Sequence, residues 1–158
     1  MTMLKKLLKY LKVIPIDVII YSMTKDTIAE FPKLDYIIQS ESIHKNKTMF
    51  YIKVGDTVIH QSFLFKKVFL LRLINKIGPT IGDCVTISAY KGKSIYPFVI
   101  NYIAREELLK NNQDEVFIVV NAYNLSSIKG IEKAGFQLHT KLKAKRFLIL
   151  HYNVRKNN

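Results

Sequence analysis

The stretch CVTISAYKGKSIYPFVI, residues 84–100, decides how this chain folds. Its first residues, Cys84 to Ile87, read with Ile81-Gly82-Asp83 as a buried strand over residues 81–87. From Ile95 onward the apolar residues Ile95, Phe98, Val99, Tyr102 and Ile103 recur at helical spacing, which predicts a helix over 94–111. Pro97 falls in the first turn of that helix, where a missing N–H costs little. Between strand and helix stands only a short turn built on Lys91-Gly92-Lys93-Ser94.

Such a turn invites comparison with phosphate-binding loops. A nucleotide P-loop needs G-x-x-x-x-G-K-[ST], and Ile87 stands where its first glycine belongs. The dinucleotide pattern G-x-G-x-x-G is absent. What is left is a compact anion site, with Gly92 allowing close backbone approach and the helix start presenting unpaired amides beside Lys91 and Lys93. A left-handed turn with solvated lysines fits the same residues, and the motif alone supports either.

Further along, EVFIVV at 115–120 is a continuous apolar run between polar flanks, as in a central strand. Asn124 can cap a short helix through about Ala134, and Gly135 stands at its left-handed end. Two strands follow, near 137–144 and 146–153. On the N-terminal side, two β-rich runs flank Gly55-Asp56 and predict a hairpin. Residues 67–80 form a basic, apolar segment that ends at Gly78-Pro79, and 16–22 reads as a strand. Residues 24–46 show little pattern and read as helix or loop. Leu4, Leu7, Leu8 and Leu11, set against Lys5, Lys6, Lys9 and Lys12, predict a short basic amphipathic helix. The expected whole is one α+β domain over 1–158, whose first 46 residues are divergent.

Composition narrows the function classes. A single cysteine, Cys84, excludes an internal disulfide framework and offers no zinc cluster. His44, His139 and His151 show no metal-ligand spacing, so no metal is expected. The N-terminus resembles a secretion signal, but Pro15 and Asp17 interrupt its apolar run and no cleavage site follows. A cytoplasmic protein is the expectation, with the N-terminal helix as a route to peripheral contact at the inner face of an anionic membrane. The 25 Lys+Arg against 12 Asp+Glu give +13, a field that draws in polyanions.

The turn KGKSIYP at 91–97, followed by NAYNLSS at 121–127 and EKAGF at 132–136, resembles the GNAT superfamily of acyl-CoA-dependent acetyltransferases. The resemblance covers about residues 48–153 and is densest over 81–136. It implies a mixed, mostly antiparallel twisted sheet of six to seven strands flanked by helices, and acetyl-CoA as co-substrate. Carried over residue by residue, Lys91, Gly92, Lys93, Ser94, Ile95 and Tyr96 would wrap the pyrophosphate. Ser94 and Tyr96 there replace small residues of the family pattern, which a backbone contact tolerates. The backbone of Val85, Thr86 and Ile87 would hold the pantetheine, and Asn121, Asn124 and Ser127 would line its far side.

The implied reaction is attack of a primary amine on the acetyl thioester in a ternary complex. The acceptor would be a small amine, with an amino sugar of a bacterial glycan one instance. Where the family's thiolate-protonating tyrosine usually stands, this chain has Ile131. Tyr123, near the end of the strand at 115–120, is the substitute. For the base, Asp83 on the strand before the turn would be a buried carboxylate of raised pKa, and His60 on the hairpin titrates in the right range. Cys84 on a buried strand reads as packing. Two other classes stay open: a non-catalytic acyl-CoA-binding domain, and a basic membrane-surface or nucleic-acid-binding module. No aromatic-and-basic RNA motif appears, so no specific nucleic acid partner is expected. Monomer and homodimer both fit.

Overall fold

Two strands that run parallel for only two residue pairs organise the molecule. The computed structural model describes residues 12–157, so the basic amphipathic helix expected over residues 4–12 lies outside the described residues except for Lys12. Strand β1 spans Val13–Thr24, β2 Gln39–His44, β3 Lys47–Val54, β4 Thr57–Phe65 and β5 Thr80–Thr86. Helix α1 covers Ile95–Arg105 and runs on into a π-helical turn, Glu106–Lys110. Strand β6 is Glu115–Asn121, helix α2 Leu125–Lys133, β7 Gln137–Phe147 and β8 Leu150–Asn157. All eight strands join one sheet in the order β2-β3-β4-β5-β6-β1-β7-β8. Only β5 and β6 pair in parallel, through Thr80↔Phe117 and Ile81↔Ile118, and every other neighbour is antiparallel. The fold is the GNAT-like α+β arrangement expected, with one strand more than the six to seven foreseen.

The elements form for local reasons. Gly55, at φ 58, closes the β3–β4 hairpin in a conformation that costs a residue with Cβ about 1 kcal/mol or more. The Asn124 carboxamide accepts from the Ser127 amide at 3.2 Å and caps α2. On one face of the sheet, α1 and α2 bury Ile100, Ile103 and Ile131 against Tyr21, Met23, Ile59 and Ile118. Each such aliphatic side chain contributes about 1.5–3 kcal/mol. On the other face, a 3-10 turn at Phe69–Ile74 covers Ile20, Phe117 and Leu142 with Leu71. Buried Asn101 on α1 donates to the carbonyls of Ala29 and Ala134, both at 2.9 Å, fixing the helix to the β1–β2 connection and to the end of α2.

Three expectations change. Residues 39–44, read as helix or loop, form the edge strand β2; all six residues are exposed, so no buried face imposed an apolar alternation. The last hairpin turns at Leu148-Ile149, three residues later than expected, with Leu148 at φ 53. The N-terminal strand is longer than 16–22 and lies between β6 and β7, where it pairs along both edges.

Candidate functional site

A bulge opens the sheet. On β4 and β5 the register passes from Phe63↔Gly82 to Gln61↔Val85, so Asp83 and Cys84 together face Ser62. Asp83 takes up the extra residue at φ 50, the position usually given to glycine in such a bulge. Past Ile81, β5 leaves β6 and its ladder groups turn toward a cleft of about 490 Å³. That volume suits an extended small-molecule ligand.

The cleft is built from three pieces of chain. Cys84, Val85 and Thr86 give one wall, and Lys91, Gly92, Ser94, Ile95 and Tyr96 give its floor. Asn124, Ser127, Lys129, Gly130 and Lys133, at and along α2, give the other wall. Gly92 at φ 77 and Ser94 at φ 61 curl the turn, and the first helical backbone bond runs from the Phe98 amide to the Ser94 carbonyl. The amides of Ile95 and Tyr96 precede that bond, so neither has an intrahelical acceptor, and they head a helix whose dipole favours an anion. Lys133 Nζ donates to Ser94 Oγ at 2.7 Å, and Lys91 and Lys129 also line the cleft. Among the described residues, no Asp or Glu lines the cleft. The result is a cleft lined by Lys91, Lys129 and Lys133 together with the first, unpaired amides of a helix.

Next to the bulge lies a polar cluster. His60 is buried, its Nδ1 2.7 Å from Thr86 Oγ1 and its Nε2 2.8 Å from Ser62 Oγ. Burial lowers its pKa to about 4, so the imidazole is neutral near pH 7. The Tyr96 ring is 6.3 Å from that of His60. Burial first, and then the neighbouring Cys84, push the Tyr96 phenol well above its ordinary value. Burial also drives the Cys84 thiol up to about 12, which keeps it protonated and a poor nucleophile. Tyr96 is held by a glycine: a Cβ on Gly130 would come within 2.5 Å of its ring.

Of the cofactor-side residues read from the sequence, Val85, Thr86, Lys91, Gly92, Ser94, Ile95, Tyr96, Asn124 and Ser127 converge on the cleft. Ile87, Lys93 and Asn121 do not line it; the Lys93 ammonium lies 4.6 Å from the Tyr90 ring centroid. The three catalytic candidates separate. Asp83 is not the buried carboxylate expected: its side chain is 68% exposed and lies 3.9 Å from Lys47 Nζ, because the bulge turns it outward. His60 does not titrate near neutrality, because burial disfavours its cation. Tyr123 is exposed and donates to Asp17 at 3.3 Å, outside the cleft lining. Sequence reading missed Lys129, Gly130 and Lys133 as lining residues. Their three- and four-residue spacing along one helix face was the available signal. Among the described residues, no cluster of His, Cys, Asp and Glu is arranged to hold a metal ion.

Neither the protein-family models nor the curated proteins contain a match to this chain. Among solved structures, the chain is similar to a GNAT-family acetyltransferase from Colwellia psychrerythraea, with a TM-score of 0.57 and 12% identity. The similarity covers 86% of this chain and 57% of that one, so the chain spans little more than half of the protein it resembles. At that identity the likeness is one of fold.

Proposed function

We propose that this protein is an acyl-CoA-dependent N-acyltransferase that moves an acetyl group from acetyl-CoA to a primary amine of a small acceptor. The observation that carries the reading is the cleft at the β5–β6 divergence, where a bulged strand, a left-handed turn and three lysines meet. Anionic phosphates suit the Gly92–Ser94 turn with Lys91, Lys129 and Lys133. The pantetheine suits the β5 edge, whose backbone is not taken up by β6 beyond Ile81. An N–H aimed at the thioester carbonyl from that edge would stabilise the tetrahedral oxyanion.

Two protons must move: one leaves the attacking amine and one reaches the departing thiolate. We assign the first to water in the cleft, because Asp83 is turned outward against Lys47 and does not line it. For the second, Ile131 is completely buried in the core and has no proton to give. Of the cleft-lining phenols Tyr90 and Tyr96, Tyr96 is the one packed next to Cys84 and His60, and its raised pKa favours the neutral, donating form. That pKa lies far above the ordinary thiol value of about 8.5, so full transfer to the thiolate is uphill. Its role is then a hydrogen bond to the leaving sulfur, with the proton supplied from water.

Thiol release from acetyl-CoA against a panel of primary amines tests the reading. Tyr96→Phe should lower kcat on the order of 10²-fold with KM for acetyl-CoA little changed. An unchanged kcat would remove Tyr96 from the mechanism. Saturable acetyl-CoA binding without thiol release with any amine would favour a non-catalytic acyl-CoA-binding domain, the reading that buried Ile131 supports.

A further inference from the structure

The end of the sheet beyond β6 carries a second feature, independent of the cleft. Strand β6 ends at Asn121, opposite Val18, yet β1 begins five residues earlier at Val13. Val13 to Ile16 therefore pair with β7 and not with β6, and β7 pairs with β8, which makes a three-stranded arm past the end of β6, with Asp17 at its base accepting from the Ala122 amide. Its tip is apolar and uncovered: Ile149 is 83% exposed, Leu150 65% and Leu148 51%, with Val13 and Ile14 exposed beside them. A two-residue hairpin turn ordinarily takes Asn or Gly, and here Leu148 holds φ 53 against its own steric preference. Around the tip the charge has one sign. Lys145, Arg146 and Arg155 stand on the arm, Lys141 and Lys156 follow at its base, and the arm's carboxylate, Asp17, is paired with Lys143 at 3.2 Å; no Asp or Glu occurs after Glu132. Phe69, exposed and stacked 5.3 Å from His151, extends the apolar surface toward the basic segment at 66–72.

We infer that this arm docks on an anionic lipid bilayer, with Leu148, Ile149 and Leu150 entering the headgroup region and the surrounding lysines and arginines facing lipid phosphates. Apolar residues at a tip, ringed by cations, match the two requirements of interfacial binding: burial of apolar surface and attraction to negative lipid. A duplex nucleic acid would satisfy the charges but offers nothing to the uncovered Leu-Ile-Leu tip. A second copy of the arm would bring like charges together. The leucine-and-lysine pattern of residues 4–12 joins the chain directly at Val13, so the sequence next to the arm carries the same chemistry. No helix among the described residues is long and apolar enough to cross a membrane, and surface attachment needs none.

The test is flotation of the full chain with phosphatidylcholine vesicles with and without 30% phosphatidylglycerol, for the wild type and the double variant Leu148→Gly/Ile149→Asn, which puts glycine at the turn's positive φ. That variant places a favoured pair in the turn, so its thermal midpoint should hold or rise, and a folding defect is not confounding. Expected are binding to the anionic vesicles only, loss of that binding as salt rises from 0.1 to 0.5 M, and a fall of at least tenfold in the variant. Lys145→Glu/Arg146→Glu should reduce binding comparably. Equal binding to both vesicle types, or a tip variant that binds as well as wild type, would overturn the inference. So would duplex DNA bound as tightly as the anionic vesicles, or sedimentation showing a dimer that the tip variant dissolves.

Discussion

His60 shows how one residue's surroundings set its use. Its two hydroxyl partners could satisfy either tautomer, but nothing acidic faces it, so burial decides and the neutral ring prevails. The sign of the pH effect follows. An unfolded histidine takes a proton near pH 6.5, whereas the folded one resists until about 4. Its contribution is fully present above pH 6.5 and is lost as pH falls from 6.5 toward 4. The loss is about 3 kcal/mol at most. His60→Gln should flatten urea-unfolding stability over that window relative to wild type. A variant whose stability falls as steeply as the wild type's would show that His60 does not titrate this way. Gly130 makes a parallel point: a glycine within a helix costs about 1 kcal/mol relative to alanine, and here it leaves space for the Tyr96 ring.

Among the elements, β5 carries the most information per residue. Its bulge at Asp83-Cys84 bends the strand, ends the pairing with β6 after Ile81 and opens the cleft. The left-handed Asp83 is the strained point. Asp83→Gly should raise stability by about 0.5 kcal/mol in denaturant unfolding, as the steric cost of a Cβ there outweighs the added chain entropy. The same variant should leave turnover unchanged, since the carboxylate is turned away from the cleft. A gain in stability with lost turnover would bring Asp83 back as the proton acceptor. Much of this element was legible in the sequence. The run from Cys84 into Pro97 announced strand, tight turn and helix, and Asn124 with Gly135 announced a second helix and its ends. The bulge was not legible, because Asp83 follows Gly82 without interrupting the strand pattern, and only pairing to Ser62 reveals the extra residue. Strand β2 was hidden for the opposite reason: QSESIH buries nothing, so its strand character comes from pairing with β3 alone. The turn on the cleft floor was legible because glycine and lysine mark it in the sequence themselves. The surroundings of the catalytic candidates were not, since exposure and burial, which turned Asp83 outward and His60 inward, depend on neighbours distant in sequence.

For the whole molecule, charge and topology act together. The +13 net charge is spread over the chain, yet the cleft gathers Lys91, Lys129 and Lys133 and, among the described residues, no carboxylate in its lining. The β1–β7–β8 arm gathers a second set at the far wing of the sheet. Under the two proposals, one field would serve two polyanionic surfaces, a phosphorylated co-substrate and a lipid headgroup layer, at opposite flanks of β6. The likeness at a TM-score of 0.57 is one of the whole sheet and its helices.

The account stands or falls on the cleft. Its most direct test is thermal unfolding of the wild type and Gly92→Trp with acetyl-CoA, using tripolyphosphate as the control anion. A ligand at a hundred times its Kd should stabilise the folded wild type by about 2.7 kcal/mol, a rise of several degrees in Tm. The account expects that rise with acetyl-CoA, a much smaller one with tripolyphosphate, and none with acetyl-CoA in Gly92→Trp. Equal shifts with both ligands, or a full shift retained in Gly92→Trp, would contradict an acyl-CoA site at the β5–β6 divergence.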